Sequence, residues 1–322
     1  RLFKTGKNTQ VIALASRVID KDPGFLDVYS LLADSYARKG KRDEALKYCF
    51  EYTLQSQQKG DSQHLAQSYI MIGWFYHQAG FYPKAYEFYQ KAIDLSRRNN
   101  DKLHEALALR KLAVWHMDKE ENDLALQLLT KSSEINREKQ FLYNYRYNLA
   151  CDYFDLGLLF TNKEDYNTAK EFYNKSLKVF NALNLKNEIS DYYFNLGEIC
   201  VWEKQYQKAL VYYLKGLKID EAQENLPSVS SDYSMLGELY MDMDNLSRAE
   251  EYFKKAQTLA RQINGRMELA TASYNLGILY KRKNQKNLAR EYLRQAQEIY
   301  RTVETPEYKS VQEELLSLNS SN

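Results

Sequence analysis

Side chains able to make or break bonds are present in this sequence, but not at the spacings that such chemistry requires. His64, His77, His104 and His116 never fall at H-E-x-x-H or any other metal-ligand spacing. Cys49, Cys151 and Cys200 are far apart and match no metal or redox motif. No glycine-rich phosphate loop occurs, and no Ser, His and acid set stands out. The many carboxylates sit at helix-surface spacing, where a solvated face is the ordinary outcome. The sequence therefore predicts no enzymatic activity, no metal and no cofactor. What remains is the chemistry of holding another molecule. Asn195 in "FNLG" and Asn275 in "YNLG" each offer an amide, which is donor and acceptor at once. Trp74 and Trp202 are large enough either to pack a core or to anchor a partner.

The elements that would position these residues follow from composition and periodicity. The chain has 322 residues, 44% hydrophobic and 27% charged, within the ordinary range for a folded chain. It departs from the average in having 28 tyrosines and only four prolines. Few breakers and many large rings suggest long helices with broad buried faces. The 45 basic and 43 acidic residues are interleaved, leaving a net charge of +2 and no face basic enough to predict nucleic acid as a partner. The clusters "RKGKR" and "KRK" read as solvated turns. No apolar run approaches the roughly 20 residues of a membrane helix. The opening "RLFKTGKNTQ" lacks an initiator Met and the apolar centre of a signal peptide, as a piece of a longer protein or a processed chain would. Three scattered cysteines fit a reducing compartment, so a cytoplasmic location is expected.

Comparing the chain with itself supplies the organisation. Ala33, Gly73, Ala113, Gly157, Gly197, Gly237 and Gly277 recur every 40 residues, except for one step of 44. Twelve residues after each stands an alanine: Ala45, Ala85, Ala125, Ala169, Ala209, Ala249 and Ala289. Tyr233, Leu236, Gly237 and Tyr240 fall at i, i+3, i+4, i+7, one face of a helix, and Ala249, Phe253 and Ala256 mark a second. Each unit thus reads as two helices joined by a short polar turn, such as "MDNLS". A glycine inside a helix costs about 1 kcal/mol relative to alanine, so its recurrence requires a packing reason. Close approach of the paired helices, with Gly277 against Leu276 and Ala289, is the expected one.

The Leu-Gly pair, then Tyr, then Ala, an aromatic and another Ala resemble the tetratricopeptide repeat (TPR), as in "SYNLGILYKRKNQKNLAREYLRQAQEIY". The 40-residue form is similar to the mitotic-spindle adaptor family and to Rap-type peptide receptors. The resemblance implies an all-α fold, an α-α superhelix or TPR solenoid of antiparallel helix pairs. Residues 1–24 would be the second half of an upstream unit, with Gly6, Val11, Val18 and Pro23 in phase. Residues 25–302 would form seven tandem units, and 303–322 a capping helix and tail. That helix would start at Thr305-Pro306 and pack through Val311, Leu315 and Leu316. The step of 44 residues implies a lengthened helix pair or linker across "EINREKQFLYNYRYNLACDYF".

In such arrays the first helices line a concave groove that holds a peptide or helical segment of another protein. The resemblance places Trp74, His77, Arg110, Asp155, Asp191, Asn195, Glu198, Trp202, Glu238, Tyr274, Asn275 and Arg282 along it. In the spindle adaptor and in kinesin light chains, an Asn two before the glycine holds the backbone of an extended ligand. Here only Asn195 and Asn275 keep it; Asp155, Lys111, Met71 and Met235 replace it elsewhere. Asp155, Asp191, Glu198, Glu238 and Asp242 would make the fourth to sixth repeats acidic, implying a partner with a basic segment and an apolar anchor. Two alternatives stay open. One is a peptide-responsive bacterial regulator of the Rap type. The other is the sensory or scaffold segment of a larger kinase- or cyclase-type protein.

Overall fold

A computed structural model describes residues 8–38, 41–223, 225–263, 265–303 and 307–320. Gly6, the centre of "RKGKR" and the Thr305-Pro306 helix start lie outside them. The described residues form sixteen helices and no strand. They are α1 (Asn8–Lys21), α2 (Asp27–Arg38), α3 (Arg42–Lys59), α4 (Ser62–Gln78), α5 (Tyr82–Arg98), α6 (Lys102–Met117), α7 (Asn122–Glu138) and α8 (Tyr143–Asn162). Then come α9 (Tyr166–Leu183), α10 (Lys186–Trp202), α11 (Tyr206–Ala222), α12 (Leu226–Asp242), α13 (Leu246–Gln262), α14 (Arg266–Arg282), α15 (Lys286–Val303) and α16 (Glu307–Ser320). They fall into two compact units, Arg1–Asn184 and Leu185–Asn322. In each, successive helices pair with their sequence neighbours. Some first helices also touch the first helix of the next repeat, α4 on α6 and α6 on α8 in one unit, α12 on α14 in the other.

The recurring glycines mark where the two helices of a repeat come closest. A Cβ added at Gly73 would lie 2.7 Å from the Tyr89 ring, at Gly157 2.5 Å from Tyr173, and at Gly277 2.6 Å from Leu293. At Gly197 and Gly237 it would meet the Tyr213 and Phe253 rings closer still. The opposing residue is thus the one sixteen on, rather than the alanine twelve on that the sequence suggested. All five are buried. Where the first position carries a methyl group, the opposing residue is smaller than a ring: Ala33 goes with Cys49 and Ala113 with Leu129, all fully buried. Rings are opposed by glycine alone at these positions, whereas a leucine is accepted against either glycine, at Gly277, or alanine, at Ala113.

A second recurring contact accounts for much of the tyrosine. Tyr36 stacks on Tyr48, Tyr76 on Phe88, Phe160 on Phe172, Tyr240 on Tyr252 and Tyr280 on Tyr292, with centroids 5.4 to 5.8 Å apart. These pairs pack beside the turn, at the closed end of the five helix hairpins that carry them. In the repeats whose turn residues are all described, the turn is a Schellman motif. Glu121 N–H donates to His116 O, Gln205 to Cys200, Asn245 to Tyr240 and Gln285 to Tyr280, at 2.7 to 2.9 Å. The residue just before each of these donors is left-handed: Glu120, Lys204, Asp244 and Asn284 have φ of 57° to 61°. In the second repeat the left-handed residue is a glycine, Gly80 at φ 76°.

The four extra residues lengthen α8 to 20 residues, against 17 in α4, α10, α12 and α14, and extend the loop before it. At the start of the chain α1 packs Val11 and Ala15 inward while Val18 is exposed. At the end, α16 buries Val311 and Leu318 and half-buries Leu315 against α15, but leaves Leu316 61% exposed. The expected face is corrected by one position: Leu318 lies two turns from Val311 on the same stripe, whereas Leu316 is about 140° away from it. Lys281 of α14 bonds Glu314 and Ser317 and fixes the cap.

Gly237→Ala is expected to destabilise the protein by about 1–3 kcal/mol despite its gain in helix propensity, because Phe253 cannot retreat. Adding Phe253→Leu, the pairing used by Ala113 and Leu129, should recover most of that loss in urea denaturation. A neutral or stabilising Gly237→Ala would refute the close-approach account.

Candidate functional site

In the first unit, the candidate groove residues on α4, α6 and α8 neutralise one another. Lys111 places its ammonium 4.1 Å over the Trp74 ring, a cation–π contact. Arg110 reaches Asp155 at 3.4 Å and Asp152 at 4.0 Å. Asp152 is fully buried and accepts from Ser132 at 2.8 Å and Asn136 at 2.7 Å. Burial pushes its pKa up to about 7, against the pull of Arg110. Burial, aided by Arg110, drops the Lys111 ammonium to about 8. Asp155 is buried and paired, so it does not extend an acidic surface as the sequence suggested. Trp74 is half-buried and held by Lys111.

Two further candidates turn out to tie one repeat to the next. His77 is buried among Trp74, Tyr82 and Tyr89, and its Nε2 meets Asp118 of the following repeat at 2.8 Å. Burial lowers its pKa, with Asp118 opposing. It is a latch between turns and is closed to a ligand. Arg282 is exposed and does the same job, donating to Met241 O at 2.7 Å and Asp244 at 3.2 Å.

The second unit is different. Asp191 and Glu198 of α10 and Glu238 and Asp242 of α12 lie on the first helices of adjacent repeats. Among the described residues, none of the four is in an ion pair. Burial and the charges of Asp220 and Glu188 lift Asp191 to about 6, although its carboxylate still reaches solvent. Burial raises Glu198, and burial with the charges of Asp242 and Glu198 raises Glu238. Desolvation with no opposing cation is what holds these carboxylates above their usual range. Asn275 is buried and donates to Glu238 at 2.6 Å, and Asn195 donates to Asp191 O of its own helix at 2.8 Å. Both amides thus already have partners within the unit. Tyr274 is half-buried; burial and the charges of Glu314 and Glu238 raise its phenol. Trp202 ends α10 half exposed.

Sequence reasoning missed a buried acid pair behind this face. Asp220 and Asp232 are both buried where α10, α11 and α12 meet. Ser190 donates to Asp220 and to Gly216 O, while Asp232 Oδ2 is buried with no hydrogen-bond partner. Burial and the neighbouring Asp220, Asp191 and Glu221 charges raise Asp232 to about 8. The signal was positional: Asp152 and Asp232 both stand five residues before their glycines, a register that faces the preceding repeat.

Because Asp232 binds its proton more tightly folded than the roughly 3.9 of an unfolded chain, its contribution is greatest at low pH. That stability drains away as pH rises from about 4 through 8. Asp232→Asn should therefore stabilise the protein more at pH 8 than at pH 5 in parallel urea titrations. An equal effect at both pH values would rule out the buried proton.

Among the described residues, no group of three or more His, Cys, Asp or Glu is placed to hold a metal, and no helix is long and apolar enough to cross a membrane. The three cysteines are buried and free. No curated protein sequence matches the chain. The fold matches that of the quorum sensor NprR from B. thuringiensis with TM-score 0.67 and 18% identity, over 89% of this chain and 80% of that one. It matches a Rap protein complexed with competence and sporulation factor with TM-score 0.62 and 14% identity, over 99% and 94%. A chain of the APC/C hetero-tetramer Cut9-Hcn1 gives TM-score 0.64 and 16% identity over 98% of this chain, which spans only 54% of that longer one. Tetratricopeptide repeat profiles match residues 65–138, 153–182, 190–223 and 230–302, most of the sequence. With its seven recurring helix pairs, the chain belongs to the tetratricopeptide repeat family.

Proposed function

We propose that this scaffold binds a peptide or an exposed segment of a partner protein along the first helices of its repeats, without catalysing a reaction. The supporting observation is the set Asp191, Glu198, Glu238 and Asp242, with no ion-pair partner among the described residues and with raised pKa values at Asp191, Glu198 and Glu238. Like charges crowded on one face cost free energy that a cationic ligand would relieve. The ligand would present Lys or Arg to Glu198 and Glu238 and an apolar side chain to Trp202. Asn275 would hold Glu238 in place, a role one step removed from direct contact.

A second reading takes its support from the Rap protein with its bound factor and from the quorum sensor: a peptide-responsive regulator in which ligand binding tightens the array. Small-angle scattering separates the two, since only the regulator should contract when a peptide saturates it.

The test is fluorescence anisotropy with a labelled basic-aromatic peptide. Glu198→Lys with Glu238→Lys should weaken binding by about tenfold or more and flatten its salt dependence. Unchanged affinity would sink the acidic-face reading. Asn275→Ala should leave helicity intact and weaken binding less than the charge reversals do.

A further inference from the structure

The lengthened start of α8 carries an apolar projection that the fold does not use. Phe141, Leu142 and Tyr143 are 73%, 45% and 57% exposed. The corresponding turns in the two preceding repeats, Gly-Asp at 60–61 and Asn-Asn-Asp at 99–101, are polar. The projection is nonetheless held in shape. Arg146 Nε donates to Gln140 O at 3.1 Å, Leu142 N–H to Lys139 O at 2.9 Å, and Lys139 lies 5.6 Å from the Tyr145 ring centroid. Three consecutive apolar side chains on an ordered corner form a patch whose burial against a partner would be favourable. Residues 137–146 carry Arg137, Lys139 and Arg146 against one acid, Glu138.

We propose that this corner docks on the acidic face of the second unit of another copy of the chain. The inference rests on the acidic-face reading above and names its occupant. Arg137 and Lys139 would answer Glu198, Glu238 and Asp242, while Phe141 and Tyr143 would cover Trp202. Charge selects this pairing. The projection against its own copy would oppose basic side chains, and the acidic face against its own copy would oppose carboxylates. Only the crossed pairing brings opposite charges together with an apolar centre. Because two different surfaces meet, the contact is heterologous and grows head to tail into open chains or closed rings, whereas a two-fold dimer would stop at two.

Sedimentation velocity of the full chain tests this. Mass should rise with protein concentration at low salt and fall back in high salt. Phe141→Ser with Tyr143→Ser should give a monomer, as should Glu198→Lys with Glu238→Lys, with circular dichroism confirming that both stay folded. Mixed in equal amounts, the two variants should form a heterodimer that grows no further, since each retains the surface the other has lost. A wild-type chain that stays monomeric at every concentration and salt overturns the proposal, as does either variant associating alone. If that monomer still binds the basic-aromatic peptide through Glu198 and Glu238, self-association fails while the acidic-face reading stands.

Discussion

Everything in this chain depends on how closely the two helices of a repeat can approach. The distance is set by one small residue on the first helix and the side chain sixteen positions later on the second. Gly237 with Phe253, or Ala113 with Leu129, fills the same space in two ways. The helical cost of glycine is accepted because a bulkier residue would push the ring, and with it the second helix, outward. Once the pair is set, the remaining contacts follow in step. The aromatic stacks seal one end, and the second helix presents its far side to the next repeat. A change at one such pair therefore acts on the placement of a neighbouring repeat as well as on its own.

The repeat was legible because its period is carried by residue types that few other constraints would select at fixed spacing. Helix pairs and the lengthening near α8 could both be read from it. The partner of the glycine was harder to read, since positions twelve and sixteen on both lie on the inner face of the second helix and only packing decides between them. Leu316 was misread for a related reason: a run of leucines does not show which of them lies on the stripe until a neighbouring helix is present. Several left-handed turn residues gave no signal, because Glu120, Glu164 and Lys204 are not types that mark positive φ.

Charge was the least legible feature. A carboxylate on a helix reads the same whether it faces water, an arginine or another carboxylate. Asp155, one turn beyond Asp152, is neutralised by Arg110 from the preceding repeat. Glu198 and Glu238 have no such neighbour. First helices of neighbouring repeats thus carry a self-satisfied network in the first unit and an electrostatically loaded face in the second. The difference comes from residues some 40 positions away in sequence, which no local pattern reports.

The turns within the repeats have a different consequence. Their left-handed residue is exposed in every case described, and across the array it is Gly80, Glu120, Glu164, Lys204, Asp244 and Asn284. The backbone there is fixed by the capping hydrogen bond, so the side chain is free to vary. The array has room to drift at these corners: neutral, acidic and basic residues already occur there, and one of them, Asp244, has been drawn into a tie between repeats by Arg282. New binding specificities could arise there by single substitutions, without the compensating changes that every site in the interior would demand.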